Sequence, residues 1–325
     1  MSARLAAMVL ARDRPAVTER TLEALLAQDD GAEVLLLIDN DATPEVRAVL
    51  DAAAARHPGA EVLALANNRG CAGGFEAGIA RLLERGDTDL VCGFDDDATP
   101  APGCLRALRE AAATLPDLGA AGALAHDPDG TLAWPMFVDG EPAPLTTVAE
   151  ARALESRRPG PWPVHNLAWQ GKLLPLDVVR RHGNVWGDLF LQYEDIELGM
   201  RLRRAGLRSY LVPVAECLHP APPPARELRL FGRQIEITAQ SPAKEYLTLR
   251  NALVVRPRYD GARFWYGTGP LVLLRGLLSA LSLDAPRWAA VRQVFLRGIA
   301  DGVRKRLGPP PRAVTELGRK TPGRH

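Results

Sequence analysis

Three consecutive aspartates, Asp95, Asp96 and Asp97, follow an apolar run at residues 90–94. Like charges placed this close together are unfavourable unless a cation or hydrogen-bond donors compensate them. Mg²⁺ and Mn²⁺ are hard cations that bind carboxylate oxygens together with the phosphates of a substrate. Because side chains alternate along a strand, we expect Asp95 and Asp97 to reach one ion while Asp96 points elsewhere. The triplet therefore predicts a divalent-cation site at the end of a strand.

A second acidic pair, Glu194 and Asp195, stands where a helical pattern begins, and a solitary histidine, His219, follows farther along the chain. Taken alone, an acidic residue at the start of a helix is most simply a helix cap, and an acidic triplet is most simply an exposed turn. The apolar strand before the triplet, together with these downstream groups, favours a metal site over the simpler interpretation.

The first 125 residues alternate apolar runs with Ala- and Leu-rich stretches of helical periodicity. This pattern predicts repeated βα units and a mostly parallel sheet, whose ligand site lies beyond the carboxyl ends of the strands. The polar clusters fall at those ends, at residues 12–14, 39–41, 67–74 and 95–97. The first strand-to-helix turn contains no glycine, which excludes a dinucleotide-binding Gly-x-Gly-x-x-Gly turn. Glycines after the third strand, including Gly74, are expected to let a helix N-terminus approach a ligand closely.

The remaining pattern is less regular. Residues 139–163 read as a loop or partly mobile flap, and residues 220–224 as an extended loop. Strands are predicted at residues 164–174 and 207–214, and helices at 175–183, 194–206, 242–255, 263–283 and 287–307. Residues after 307 are expected to be disordered. These patterns suggest a catalytic domain over residues 1–260, with halves at 1–125 and 126–260, a helical extension over 261–307 and a basic tail over 308–325.

Composition excludes several classes of protein. The chain has 325 residues and a formal net charge of +1, which gives no overall attraction to nucleic acid. Four cysteines without a CxxC pair favour a reducing compartment. No signal peptide is apparent, and the longest apolar stretch is shorter than the roughly 20 residues that span a bilayer. We therefore expect a cytoplasmic protein.

The last two predicted helices combine leucine-rich faces with arginines, and the chain from Arg287 onward carries ten Lys or Arg against two acids. Such helices can lie on the surface of a membrane, here the inner face of the plasma membrane. They can equally form a helical cap on the catalytic domain or the interface of an oligomer. Their amphipathicity alone does not distinguish these roles.

Three segments together resemble the inverting family 2 glycosyltransferases with a GT-A fold. They are the aspartate triplet after its apolar strand, the Asn- and Gly-rich residues 68–74, and residues 190–206 around the acidic pair. Within that family, the chain looks most like galactofuranosyltransferases and bacterial rhamnosyltransferases. The resemblance covers residues 4–260.

The resemblance implies roles in binding a nucleotide-sugar donor. Arg14 would contact the donor base or diphosphate, and Asp39 would recognise the uracil or thymine edge, although a turn-capping aspartate has the same pattern. Asn68 and Gly74 would fit around the nucleotide sugar, or simply form a tight turn. Asp96 would touch the donor sugar or ribose.

The resemblance also implies the reacting groups. Asp95 and Asp97 would hold Mg²⁺ or Mn²⁺ on the diphosphate, and His219 would complete that metal site. Asp195 would be the catalytic base, with Glu194 binding or orienting the acceptor.

Two further residues have open assignments. Trp169 would stack on a sugar ring or pack in the core. Arg250 would contact a phosphate or the acceptor, or would be a surface charge of its helix.

These roles imply transfer of a sugar from a UDP- or dTDP-sugar, of galactofuranose or rhamnose type, to a hydroxyl of a glycan or polyprenyl-linked acceptor. One base suffices for a single displacement, which inverts the anomeric centre. The alternatives are a sugar-phosphate nucleotidyltransferase and a non-catalytic nucleotide-sugar-binding protein at a membrane.

Overall fold

The computed structural model describes residues 3–221, 226–230, 233–237 and 240–318. The chain forms two compact units. The first comprises Met1–Gly187 and Asp195–Ala221, and the second comprises Asp188–Glu194 and Pro222–His325. The boundary expected at residue 260 therefore lies inside the second unit.

The first unit is built on one sheet of eleven strands. The strands are β1 (Leu5–Ala11), β2 (Val34–Asn40), β3 (Ala60–Leu65), β4 (Leu90–Asp95), β5 (Thr99–Pro100), β6 (Leu118–His126), β7 (Thr131–Met136), β8 (Leu145–Thr147), β9 (Trp162–Val164), β10 (Gln170–Pro175) and β11 (Arg208–Leu218). The helices are α1 (Pro15–Leu26), α2 (Pro44–Ala54), α3 (Gly70–Arg85), α4 (Cys104–Thr114), α5 (Val148–Arg157), α6 (Leu176–His182) and α7 (Glu194–Arg204), whose first residue belongs to the second unit.

The main path of the sheet runs β3-β2-β1-β4-β10-β6-β11-β5. The pairs β3/β2, β2/β1 and β1/β4 are parallel, as the alternating pattern predicts, whereas β10 runs antiparallel to both of its neighbours. The register pairs Ala11 with Asp39 and Leu10 with Asp95. The carboxyl ends of β1, β2 and β4 consequently meet at one edge of the sheet, which collects the polar clusters that follow them.

The inner strands are buried along their whole length. Every residue of β1 and β2 is buried, which explains their continuous apolar runs, since a parallel strand covered on both faces needs no alternation. Phe94 is fully buried one residue before Asp95. The core thus anchors β4 up to the point where its carboxylates begin.

The region between residues 139 and 163 is more regular than its sequence suggests. The expected loop is wrong, because the segment contains β8, α5 and the start of β9. A capping box between Thr147 and Glu150 starts α5. Only Ala151 and Leu154 of this helix are buried, so it carries too narrow an apolar face to show helical periodicity.

The second unit is mostly helical. Its elements are β12 (Arg226–Leu230), β13 (Arg233–Ile237), α8 (Pro242–Asp260), α9 (Arg263–Tyr266), α10 (Gly269–Ser282), α11 (Arg287–Ala290), a π-helical stretch (Val291–Leu296), α12 (Arg297–Val303) and α13 (Arg312–Thr315). The expectation of disorder after residue 307 is wrong as far as residue 318, because Val314 is fully buried in a cluster with Tyr246 and Val294. Residues 319–325, and residues 222–224 of the expected extended loop, lie outside the described residues.

The described residues include no helix that combines the length and apolar character needed to cross a membrane.

Candidate active site

Asp95, Asp97 and His219 form a cluster at the edge of the sheet. Asp95 ends β4, and Asp97 lies in the turn that leads into β5. His219 directly follows β11, and β5 pairs with β11 so that Thr99 is opposite Leu218. This pairing joins residues that are more than a hundred positions apart. One ligand atom from each of the three side chains lies within 4.8 Å of the other two.

The donor set of this cluster suits a divalent cation. It offers two carboxylates, which Mg²⁺ and Mn²⁺ prefer, and one imidazole, which Mn²⁺ also accepts. His219 Nδ1 lies 2.8 Å from the carbonyl oxygen of Pro220, and its Nε2 lies 3.4 Å from Asp97 Oδ1. A backbone contact at one ring nitrogen is the usual way to orient a histidine whose other nitrogen binds metal. The residues present therefore fit the expected ion.

Contacts within the cluster shift the pKa values of Asp97 and His219 toward their charged forms. Burial opposes ionisation of Asp97, but hydrogen bonds and charges from His219 and Arg14 outweigh it and lower the pKa of Asp97. Burial likewise opposes the charge on His219, and contact with Asp97 and the charge of Asp95 raise its pKa overall. A metal ion that binds here would compete with a proton for the histidine.

Arg14 lies beside the metal-ligand candidates. Its Nη1 donates to Asp97 Oδ2 at 2.5 Å, and its guanidinium also pairs with Asp96. Asp96 is buried, and its backbone oxygen accepts a hydrogen bond from Thr21 Oγ1 in α1 at 2.9 Å. The carboxylate of Asp96 lies outside the three-residue cluster, as strand alternation predicts, and it ties the turn to α1 through Arg14. Contact of Arg14 or Asp96 with a donor stays a prediction.

The polar residues after β2 and β3 form a second hydrogen-bonded group. Asp39 accepts from the Ala42 amide at 2.7 Å and from Arg47 Nη1 at 3.2 Å, which is the turn-capping arrangement. Recognition of a base by Asp39 stays a prediction. Asn68 Oδ1 accepts from the Gly70 amide at 2.8 Å, where Gly70 has φ +69°. Asn68 thus supports the turn that starts α3.

Asn40 is a residue of this group that the sequence analysis missed. It is buried, and its Nδ2 donates to Asn68 Oδ1 and to the Gly70 carbonyl, both at 3.2 Å. Its Oδ1 accepts from the Arg69 amide at 2.8 Å. Asn40 therefore fixes the loop after β3 from the neighbouring strand. An asparagine at the end of an otherwise apolar strand was the available signal.

Gly74 has a packing reason for being glycine. A Cβ atom on Gly74 would lie 2.4 Å from Leu10 Cδ1, and one on Gly78 would lie 2.4 Å from Met8 Sδ. Both contacts are far shorter than side chains tolerate, so these glycines let α3 lie directly on β1. This close approach to the sheet accounts for Gly74 without a ligand.

Asp195, the candidate base, is the second residue of α7. Its Oδ1 accepts from the Ile196 amide at 2.7 Å, and its Oδ2 accepts from Asn166 Nδ2 at 3.0 Å. These two hydrogen bonds hold both carboxylate oxygens of Asp195 in a fixed orientation. Asn166 was not singled out from the sequence, because it stands within a run read as a strand. Glu194 is buried and belongs to the second unit, and its contact with an acceptor stays a prediction.

Trp169 and Arg250 are both buried. Trp169 stacks on Phe75 with ring centroids 4.1 Å apart, and a Cβ on Gly93 would lie 2.7 Å from its ring. Trp169 thus packs in the core in this structure, and its stacking on a sugar ring stays a prediction. Arg250 is fully buried in the second unit and donates to backbone carbonyls. It is not a surface charge, and its contact with a phosphate or the acceptor stays a prediction.

Solved structures share this fold. The protein resembles GalNAc-T7 solved with UDP, GalNAc and Mn²⁺, with a TM-score of 0.57 and 14% identity over 83% of this chain and 51% of that chain. It also resembles a mannosyltransferase of Pyrobaculum calidifontis solved with GDP-Man and Mn²⁺, with a TM-score of 0.55 and 15% identity over 94% of this chain and 80% of that chain. The fold is the GT-A-like fold of glycosyltransferases, with a mixed central sheet flanked by helices.

Residues 3–234 match the family described as Glycosyltransferase like family 2, and the chain belongs to that family. An N-acetylglucosaminyl-diphospho-decaprenol L-rhamnosyltransferase of Mycobacterium tuberculosis is 33% identical over 147 residues, which are 40% of this chain and 47% of that protein. The chain thus spans about half the length of this relative. A galactofuranosyltransferase of Mycolicibacterium smegmatis is 27% identical over 248 residues, which are 75% of this chain and 80% of that protein.

Proposed function

We propose that this protein is a metal-dependent, inverting glycosyltransferase that uses a UDP- or dTDP-sugar. The observation that carries the proposal is the cluster of Asp95, Asp97 and His219 at the sheet edge of a family 2 glycosyltransferase fold. The candidate base Asp195 is held separately by Asn166. A binding protein without catalytic activity would have no need for such a base.

The relatives support the choice of substrates. The Mycobacterium tuberculosis protein is named as a rhamnosyltransferase acting on a decaprenol-linked sugar, and the Mycolicibacterium smegmatis protein as a galactofuranosyltransferase. We therefore propose a rhamnose- or galactofuranose-type donor and a glycan or polyprenyl-linked acceptor.

The chain's own residues divide donor binding among them. Asp95, Asp97 and His219 would hold Mg²⁺ or Mn²⁺, which would neutralise the charge of the departing diphosphate. Arg14, which already pairs with Asp97, would lie close to the same diphosphate. Asp39 and Asn68, at the ends of neighbouring strands, would contact the nucleoside and its sugar.

Asp195 would carry out the proton transfer. As the acceptor oxygen bonds to the anomeric carbon, its O–H bond breaks and the proton passes to the Asp195 carboxylate. The bond from the anomeric carbon to the diphosphate oxygen breaks on the opposite face, and the nucleoside diphosphate takes that electron pair. One such displacement inverts the anomeric centre. The hydrogen bond from Asn166 Nδ2 would keep Asp195 in the required rotamer.

Exposed apolar side chains on the second unit support contact with a membrane surface. Tyr266 and Trp288 are 75% and 72% exposed, and Leu271 is 66% exposed on α10. Arginines such as Arg263 and Arg287 stand near them in the sequence. Aromatic and leucine side chains combined with arginines are typical of helices that lie in the interface of an anionic membrane. A peripheral position at the inner face of the plasma membrane would give access to a lipid-linked acceptor.

The enzymatic proposal is tested by screening nucleotide sugars for turnover with Mn²⁺ and with EDTA. We expect hydrolysis or transfer of a UDP- or dTDP-sugar only with the metal. Equal turnover in EDTA would contradict the metal site.

The membrane proposal is tested by sedimentation with vesicles that contain anionic lipid. We expect binding that weakens in a Trp288→Ser variant and disappears with neutral vesicles. Unchanged sedimentation of the variant would contradict it.

A further inference from the structure

The loop that leads into α7 has an unusual backbone. Phe190, Gln192 and Tyr193 have φ angles of +67°, +69° and +73°. Residues with a side chain rarely adopt this left-handed region, and several of them in one short loop persist only where the surroundings enforce the conformation. The loop ends at Glu194, which is followed directly by the candidate base Asp195.

One amide group in α8 spans this loop. Asn251 Nδ2 donates to the carbonyl oxygens of Leu189, Leu191 and Gln192 at 3.0, 3.0 and 2.7 Å. Asn251 is fully buried. A buried carbonyl without a donor destabilises the fold, so these bonds stabilise the irregular backbone of a loop whose residues are buried or partly buried.

Arg250 holds the amide of Asn251 in its orientation. Arg250 Nε donates to Asn251 Oδ1 at 2.8 Å, which leaves Nδ2 facing the loop, and Arg250 Nη2 donates to the Leu189 carbonyl at 3.0 Å. Its Nη1 donates to the Gly308 carbonyl at 2.6 Å, and the Gly308 amide donates to the Asp188 carbonyl at 2.8 Å. The start of the loop is therefore tied to the guanidinium of Arg250, and its later carbonyls are tied to the amide of Asn251.

The position of Arg250 needs an explanation other than ion pairing. Its side chain is fully buried, and within the described ranges no carboxylate lies at salt-bridge distance from it. Removing a guanidinium from water is unfavourable unless its donors are satisfied. Its hydrogen bonds go to backbone carbonyls and to Asn251. A buried arginine used in this way serves to fix a backbone.

We propose that Arg250 and Asn251 are positioning residues for catalysis, which hold residues 189–193 in their irregular conformation, with Phe190, Gln192 and Tyr193 left-handed, and so fix the entry of the chain into α7 at Glu194 and Asp195. The proposal rests on the proposed role of Asp195 as the base. Neither residue contacts the reacting atoms. They act through the covalent chain that connects the loop to the base.

The test is the Asn251→Leu variant, which keeps the branching of the side chain at Cγ and removes the amide. We expect kcat to fall about 10- to 100-fold, because displacement of a catalytic group by about 1 Å can reduce the rate 100-fold. The affinity for UDP with Mn²⁺, measured by calorimetry, should stay within about twofold, since the loop leads directly to Asp195 in the chain but not to Asp95, Asp97 or His219. A role limited to stability would not produce this split between kcat and nucleotide binding.

Thr248→Val is the matched control. Thr248 lies on the same helix, and its Oγ1 is 3.4 Å from the Gln192 side chain rather than from the loop backbone. We expect wild-type kcat for it. Arg250→Lys should give an intermediate kcat, since lysine can donate to one carbonyl but cannot also orient Asn251. If Asn251→Leu is insoluble, the milder Asn251→Ser is measured in the same way, with a smaller loss of kcat expected.

Two outcomes would overturn the proposal. One is wild-type kcat in a folded Asn251 variant, and the other is a loss of UDP binding as large as the loss of kcat. The Asp195→Asn variant separates this failure from a failure of the proposed function. An inactive Asp195→Asn beside a fully active Asn251→Leu would refute only the positioning role, whereas an active Asp195→Asn would refute the role of the base.

Discussion

Replacing Asn166 by leucine would remove the amide that donates to Asp195 at 3.0 Å. A hydrogen bond to a charged group contributes about 1.5–3 kcal/mol to stability. In the described residues, however, Asn166 Oδ1 is buried without a hydrogen-bond partner, and such an atom costs about 1–3 kcal/mol. The two effects oppose each other, and leucine repeats the branching of asparagine at Cγ on a residue that is only partly buried. We therefore expect the free energy of unfolding to change by no more than ~1 kcal/mol.

Activity should respond differently from stability. If Asn166 holds the Asp195 carboxylate during proton transfer, loss of 1.5–3 kcal/mol in the transition state lowers kcat roughly 10- to 100-fold, since ~1.4 kcal/mol is a factor of ten. The assay is sugar transfer at saturating donor, combined with unfolding in urea. Asn184→Leu is the control, because the amide of Asn184 bonds only backbone atoms, at Glu76 and Val185. It should lower stability and leave kcat unchanged.

The opposite pattern in Asn166→Leu would refute the role of Asn166 in proton transfer. Wild-type kcat together with a loss of more than ~2 kcal/mol in unfolding free energy would make Asn166 a purely structural residue.

Other substitutions test the remaining parts of the site. Gly74→Ala should destabilise the protein by ~1–3 kcal/mol, because the new methyl would lie 2.4 Å from Leu10 Cδ1; in urea unfolding, a Leu10→Ala background should remove much of that penalty. Trp169→Ala should cost ~3–5 kcal/mol as a cavity in the core, and a variant as stable as the wild type would contradict its assigned packing. Asp97→Ala should abolish the Mn²⁺ dependence of UDP binding in calorimetry, and an unaltered dependence would exclude Asp97 as a ligand.

Local patterns predicted the parts of the fold that depend on local physics. The apolar runs identified β1, β2 and β4, because strands buried on both faces are apolar up to the polar residues at their carboxyl ends. The same runs located Asp95 at the end of β4. The family resemblance assigned His219 to the metal site, and its proximity to Asp97 depends on the pairing of β5 with β11. That pairing leaves no signal in either segment alone.

The sequence left roles open or unseen where one residue pattern suits two environments. A tryptophan in an apolar segment can stack on a ligand or on Phe75, and only the packing decides between them. A helical arginine next to asparagine appears exposed, yet Arg250 is buried because residues 189–192 supply carbonyls for it and for Asn251. Asn166 was missed because its partner lies 29 positions away.

The Asp195→Asn variant tests the role of Asp195 as the catalytic base most directly, because it keeps the shape of the side chain and removes its basicity. Sugar transfer from the donor found in the nucleotide-sugar screen should fall by at least ~1,000-fold, within the range that loss of a general base produces, while UDP binds with Mn²⁺ as in the wild type. Transfer by this variant at a rate near that of the wild type would contradict the account.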